Sequence, residues 1–413
     1  MKPKVLFKTF GCRTNLFDTQ VMIENLKDFE VTHKEEEAEI IVINSCTVTN
    51  GADAGVRNYL NKMQKIGKKI YFTGCGVATK GEEVFPQVSG VFAHDHKEKI
   101  NSLLKQSQKF FLPTQNDAHI DQTLVSEFVG KSRAFIKIQE GCDFTCSYCI
   151  IPFSRGKARS IPQEMILTQI QTLAQEGIQE VVLTGTNMGS YGKDTQSSVA
   201  KLIQAISKIP NIKRIRLGSL EPSQIDEEFL ELLGEDFLER HLHIALQHTH
   251  DVMLQIMNRH NRTQSDLELF EKIAAKGFAL GSDYIVGHPG ESEEIWNQAF
   301  ENLKKFPLTH IHPFIYSPRT GTPSASMKPR IHGDIAKKRL HSINHLIAQK
   351  NLDFRKQHAT TPLKILIESH KNGSFYGLDQ FFNKVKIKSS KHLMGWLECD
   401  SYTIMQEYNH IEL

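Results

Sequence analysis

Cys142-x3-Cys146-x2-Cys149 stands directly behind a strand-like apolar run, Ala134–Gln139. No fourth Cys or His lies nearby in the sequence to complete the tetrahedron of a structural zinc. Three thiolates instead suit a 4Fe-4S cluster with one iron left open, because a closed cluster takes four. The other cysteines form a second set, Cys12, Cys46 and Cys75, and an outlier, Cys399. Seven cysteines in 413 residues cannot be a disulfide scaffold, and an odd count argues further against one. In a reducing compartment, clustered thiols mean metal or catalysis.

The second set is dispersed along a strand–helix alternation. Val5–Phe10, Glu39–Ile43 and Lys69–Thr73 read as buried strands, with Phe17–Lys27 and Ala54–Ile66 as helices between them. This predicts an α/β unit over residues 1–110, an open parallel sheet. Each strand run ends close to one of the three cysteines, and such sheets bind ligands outside their carboxyl ends. The three thiols should therefore meet at one edge; three buried structural cysteines is the plainer alternative. From Leu104 to Val129 periodicity fades through Gln106, Pro113, Gln115 and Asn116, which predicts a linker.

Residues 128–354 repeat strand–helix about six times and predict a partial (β/α)6 barrel, with its chemistry at the C-terminal strand ends. The candidate strands are Ala134–Gln139, Glu180–Thr184, Arg214–Gly218, His241–Leu246, Ser282–Val286 and His310–Ile315. Their ends hold Gly185, Ser219, Glu221, Gln247 and Gly287, a rim of polar and glycine residues. Over 355–413 the composition shifts. Eight Lys or Arg face two acids between Arg355 and Lys391, with Phe375, Tyr376, Phe381 and Phe382 interleaved. Strand-like runs flank Asn372-Gly373, so a small basic β module is predicted. Its charges and rings suit RNA, although a solvated lysine face fits the composition as well. Net charge is only +3, too little to mark the whole chain as a nucleic-acid binder. No apolar stretch approaches the roughly 18 residues of a membrane span, and no secretory h-region follows Met1. The expected location is cytoplasmic.

The triplet after a barrel strand, with Tyr148 before its third cysteine, is similar to the radical S-adenosylmethionine (SAM) superfamily. The resemblance extends through Gly11-Cys12-Arg13-Thr14-Asn15, Asn44-Ser45-Cys46, Gly74-Cys75, Ile150–Gly156, Arg216–Pro222 and Asp283–Gly287. Across three units in order, the chain resembles the methylthiotransferases of that superfamily, most closely the branch acting on threonylcarbamoyladenosine in tRNA. The resemblance implies a radical SAM barrel followed by a TRAM-like β module. It implies two 4Fe-4S clusters, on Cys142, Cys146 and Cys149 and on Cys12, Cys46 and Cys75. It implies SAM at a pocket including Tyr148, Gly185, Ser219, Glu221, Gln247 and Gly287. The implied reaction adds a methylthio group to C2 of the modified adenosine at position 37, with a flavodoxin- or ferredoxin-type electron donor. The sulfur source is not readable. Rivals are isopentenyladenosine-37, a ribosomal-protein aspartate and, outside enzymes, an iron–sulfur RNA sensor.

Where the family usually shows a Ser-Gly-Ser-like stretch, this chain has His248-Thr249-His250. His248 and His250 are therefore candidates to face substrate. His241 with His243, and His310 with His312, each share a strand face, but no carboxylate or cysteine stands beside them in sequence at ligand spacing. They are expected to be structural. Arg155, Lys157 and Arg159, together with Lys384, Lys386 and Lys388, are candidates for RNA phosphates, with salt-bridged loops as the alternative for the first three.

Overall fold

Strands Lys4–Thr9, Ile40–Ser45 and Lys69–Gly74 are rich in β-branched and aromatic residues, and helices cover both their faces. The computed structural model describes residues 2–115, 118–126 and 133–413, and in it these strands centre a six-stranded parallel sheet. The order across it is Glu30–Val31, Lys4–Thr9, Ile40–Ser45, Lys69–Gly74, Gly90–Phe92 and Phe110–Leu112. The three additional strands are too short to leave a periodic signal.

Phe110–Leu112 shortens the predicted linker, of which 116–117 and 127–129 lie outside the described residues. The part from 118 to 126 is not a free tether. Val125 is fully buried, and the Gln169 side chain bonds both its N–H and its carbonyl. Asp121 is buried too, between Lys97 and Lys137.

Six parallel strand positions then curve in chain order, the third of them broken in two at Gly218. Arg133–Lys137, Glu180–Thr184 and Arg214–Leu217 pair in one part; Ser219–Leu220, His241–Ile244, Ala279–Val286 and His310–Ile315 pair in the next. The step between them falls at Gly218, whose N–H still bonds the Leu183 carbonyl at 2.9 Å. Residues such as Ile136, Leu183, Leu217, Leu242 and Val286 join the hydrophobic core outside the strands. By alternation Arg133, Glu180, Arg216, His243 and Asp283 point into the lumen. Phe17 and Val21 of helix Arg13–Glu24 join the same core, which docks the N-terminal unit beside the first barrel strand.

Helix Gly333–Gln357 leads into a six-stranded, mainly antiparallel sheet. Asn372 and Gly373 both adopt positive φ, 49° and 71°, and close its first hairpin as the sequence predicts. The helix runs through the predicted boundary at Arg355. That side chain is 2% exposed, and its guanidinium donates to the carbonyls of Met405, Gln406 and Tyr408. It staples helix to sheet. The interleaved aromatics also differ from expectation, because apolar rings serve the module's own packing. Phe375 and Phe381 are buried, while Phe382 stacks on His241 at 4.9 Å. Among the described residues, no helix is long and apolar enough to cross a membrane.

Candidate active site: two cysteine triplets and the arginine between them

The loop carrying Cys142, Cys146 and Cys149 closes over the first barrel strand. Gly141 (φ +76°) permits it: a Cβ there would lie 1.8 Å from the Lys157 carbonyl oxygen. Cys142 Sγ lies 3.6 Å from Asn187 Nδ2, and Cys146 Sγ lies 3.9 Å from Arg259 Nη1. Burial pushes the Cys149 thiol up to about 12 and raises Cys142, so both protons must leave when a metal binds. Three unpaired thiols and neighbouring N–H donors match the demands of an open-iron 4Fe-4S cluster.

The second triplet meets as predicted at the carboxyl edge of the N-terminal sheet. Gly11 (φ +97°) leaves no room for a side chain, since its Cβ would sit 2.6 Å from Cys46 Cβ. Cys46 and Cys75 are buried and Cys12 is exposed. Burial raises both buried thiols, Cys46 to about 11. Asn15 braces the edge, donating from Nδ2 to the Phe10 and Ser45 carbonyls at 2.8 and 3.0 Å. This donor set also fits a cluster with one open iron.

Arg155 corrects the sequence reading. It is 1% exposed and cannot reach RNA phosphates. It ends the short helix Ile151–Arg155, which follows Cys149, and its Nε donates to Cys75 Sγ at 3.2 Å. Nη1 bonds Asp18 at 2.7 Å and Glu140 at 2.5 Å, and Nη2 bonds Asn15. Lys137 extends this network, with Nζ 2.9 Å from Asp18, 2.9 Å from Glu140 and 2.5 Å from Asp121. Burial alone would raise the Asp18 carboxyl, but Lys137, Lys97 and Arg155 hold it down near 2. Arg159 is buried as well, bonded to the carbonyls of His119, Arg155 and Lys157. Lys157 remains exposed. Neither buried arginine advertised itself, because a basic loop looks the same in sequence whether it faces solvent or carboxylates.

Around the rim, Gly185 packs so closely on Gln139 that a Cβ would meet its Oε1 at 2.9 Å. Gly287 (φ +75°) likewise would strike Ala336 at 2.8 Å. Ser219 is exposed, and Gln247 holds a positive φ of 64°. Glu221 is buried and paired with Arg259 at 2.8 Å, yet burial outweighs that pairing and pushes its carboxyl up to about 7. Arg259 escaped the sequence reading, since nothing in Asn258–Arg262 sets it apart from a polar turn. Tyr148 approaches the His288 ring edge-on at 6.5 Å.

Of the two rim histidines, one departs from expectation. His248 is fully buried, 3.3 Å from Glu291 and stacked on Tyr284, so it does not face substrate. His250 precedes helix Asp251–Ile256 and is half-buried. The carboxylate missing beside His243 and His312 in sequence is supplied in space by Asp283, at 3.2 and 3.6 Å. Parallel register places Asp283 opposite His312.

This fold and cysteine loop define a radical SAM enzyme. Residues 136–303 match the radical SAM superfamily, and residues 4–93 match the uncharacterized protein family UPF0004. A radical S-adenosylmethionine methyltransferase from Kitasatospora setae shares the fold with TM-score 0.58 at 14% identity, covering 79% of this chain and 77% of that one. A Helicobacter pylori protein provisionally named a methylthiotransferase is 60% identical over 98% of this chain and 99% of its own length. The threonylcarbamoyladenosine tRNA methylthiotransferase of Bacillus subtilis is 32% identical over 95% of this chain and 92% of its own. The chain belongs to the radical SAM methylthiotransferase family.

Proposed function

We propose that this chain adds a methylthio group to C2 of N6-threonylcarbamoyladenosine at position 37 of tRNA. The observation that carries the two-cluster part of this reading is the Arg155 Nε–Cys75 Sγ hydrogen bond, which ties the helix after Cys149 to the second triplet. Cys142, Cys146 and Cys149 would hold the SAM-cleaving cluster, and Cys12, Cys46 and Cys75 an auxiliary one. Tyr148, Gly185, Ser219, Glu221, Gln247 and Gly287 would bind SAM. Bound there, SAM and its cluster supply a carbon radical able to break an unactivated C–H bond. Asn187 and Arg259 orient two of the ligating thiolates, and Arg155 with Asn15 fixes the third cysteine of the other set. Lys157, Lys384, Lys386 and Lys388 are exposed or half-exposed and would contact the tRNA backbone. The substrate assignment is supported by the name of the Bacillus subtilis relative. Nucleoside mass spectrometry of tRNA from cells lacking this gene tests it. Loss of the methylthio-threonylcarbamoyl nucleoside is expected; loss of the isopentenyl counterpart, or no change in tRNA, overturns it.

A further inference from the structure

The lower lumen of the barrel is lined by paired charges, three arginines against three glutamates. Arg133, Arg214 and Arg216 all point at one carboxylate, Glu180, with separations of 3.0, 2.5 and 2.9 Å. Arg216 also takes Glu239 at 2.5 Å, and Arg133 reaches Glu368 at 2.7 Å. Every one of these acids is spoken for. The plug is Phe382 of the C-terminal module, held at φ 67° by its neighbour Asp379, which receives the Phe381 and Asn383 N–H groups at 2.9 and 2.8 Å. One face of its ring stacks on His241. Arg216 lies 5.3 Å and Arg13 6.0 Å from the ring centroid.

Arg13 is the exception in this region. It follows Cys12 and starts helix Arg13–Glu24, so it enters from the N-terminal unit. It is half-buried, and among the described residues its guanidinium makes no hydrogen bond or ion pair. Burial disfavours its charge most, while Glu239 and Glu180 attract it and Arg133 and Arg216 repel it. A largely buried guanidinium beside two others, with no carboxylate at ion-pair distance, is a site for an anion. Further along the strands, nearer the rim, Asp283 holds His243 and His312 by their ring nitrogens. By strand alternation these three side chains share the inward face and form a polar wall of the lumen. His241 Nε2, 5% exposed as a residue, is buried without a partner and lies 2.9 Å from the Cβ position that Gly281 leaves empty.

Accepting the adenosine reading above, we propose that this cup receives the N6 substituent of the base, with Arg13 binding the threonyl carboxylate and the His243–Asp283–His312 wall facing its hydroxyl. The substituent diverges from C2–H on the purine ring, so a base presented at the rim can direct it down the lumen. An isopentenyl group carries no charge and would leave Arg13 unpaired on burial, which disfavours it. Arg13 is thus a specificity residue for an anionic N6 group.

The test uses the full cluster-loaded protein and three anticodon stem-loop RNAs differing only at N6: threonylcarbamoyl, its neutral carboxamide, and isopentenyl. Wild type should bind the acid roughly 10–100-fold more tightly than the carboxamide, the worth of a charged hydrogen-bonded pair. Arg13→Gln should shrink that ratio to within about threefold, and Arg13→Lys should restore part of it. Both cluster EPR signals and 5′-deoxyadenosine formation should persist in Arg13→Gln, which separates recognition from damage beside Cys12. Equal wild-type affinity for acid and carboxamide, or an undiminished ratio in Arg13→Gln, overturns the cup while product formation keeps the adenosine reading intact. Absence of methylthio product from the wild type with the acid RNA overturns the adenosine reading itself.

Discussion

Arg155 Nε and Cys75 Sγ lie 3.2 Å apart, although eighty positions separate them in sequence. The hydrogen bond makes the barrel's cluster loop and the edge of the N-terminal sheet one buried structure. Removing the guanidinium by Arg155→Met would leave Asp18 and Glu140 buried with one cation fewer. Breaking a buried pair in this way costs about 3–5 kcal/mol. Urea unfolding of the apoprotein should report that loss, with Arg155→Lys losing less. A change below about 1 kcal/mol would mean that Lys137 and Lys97 balance the carboxylates without it.

Iron content distinguishes the two triplets. Reconstituted wild type should hold about eight irons, four for each 4Fe-4S cluster. Replacing Cys142, Cys146 and Cys149 by Ala should remove about half and abolish SAM cleavage, since only that triplet adjoins the barrel rim. Replacing Cys12, Cys46 and Cys75 should remove the other half, spare 5′-deoxyadenosine formation and stop methylthio transfer. Normal product from the second mutant would sink the two-cluster reading.

The strand–helix order and the six cysteines were legible because periodicity and short-range spacing encode them locally. The rest depends on interactions between distant residues. Arg155 reads as a basic loop residue until Asp18 and Glu140, from either side of it in the fold, bury it. His243 and His312 look unaccompanied until parallel register brings Asp283 between them. Phe381 and Phe382 suggest base stacking, yet one packs on Phe354 and His358 at the end of the helix before the module and the other stacks on His241 of the barrel. Short edge strands such as Phe110–Leu112 carry too few residues to show alternation.

Glu221 should make SAM binding depend on pH. Burial pushes its carboxyl up to about 7 against the pull of Arg259, so it is ionised above that value and neutral below. SAM carries a sulfonium and an ammonium, and both favour the ionised form. Affinity for SAM should therefore fall as pH drops from about 8 to 6, by at most tenfold per unit for one proton. Equilibrium binding to the cluster-loaded protein measures it. Glu221→Gln should bind more weakly at pH 8 and flatten the profile; an unchanged profile would assign the titration elsewhere.

The C-terminal sheet supplies the sharpest test of RNA binding. Lys384, Lys386 and Lys388 alternate with buried Val385 and Ile387 along one strand, so the three ammonium groups share its outer face. Among the described residues, Lys388 alone of the three approaches a carboxylate, Glu412, and at 3.9 Å that pair is weak. Phosphates can therefore reach all three. Each phosphate that is no longer neutralised should lower the slope of log affinity against log salt by about 0.7–0.9. Charge reversal of all three should reduce tRNA affinity and salt slope together, while cluster content and SAM cleavage stay at wild-type levels because the strand lies outside the barrel. Filter binding across a salt series checks it. Unchanged affinity would make these lysines a solvated face and leave RNA to Lys157 and the rim.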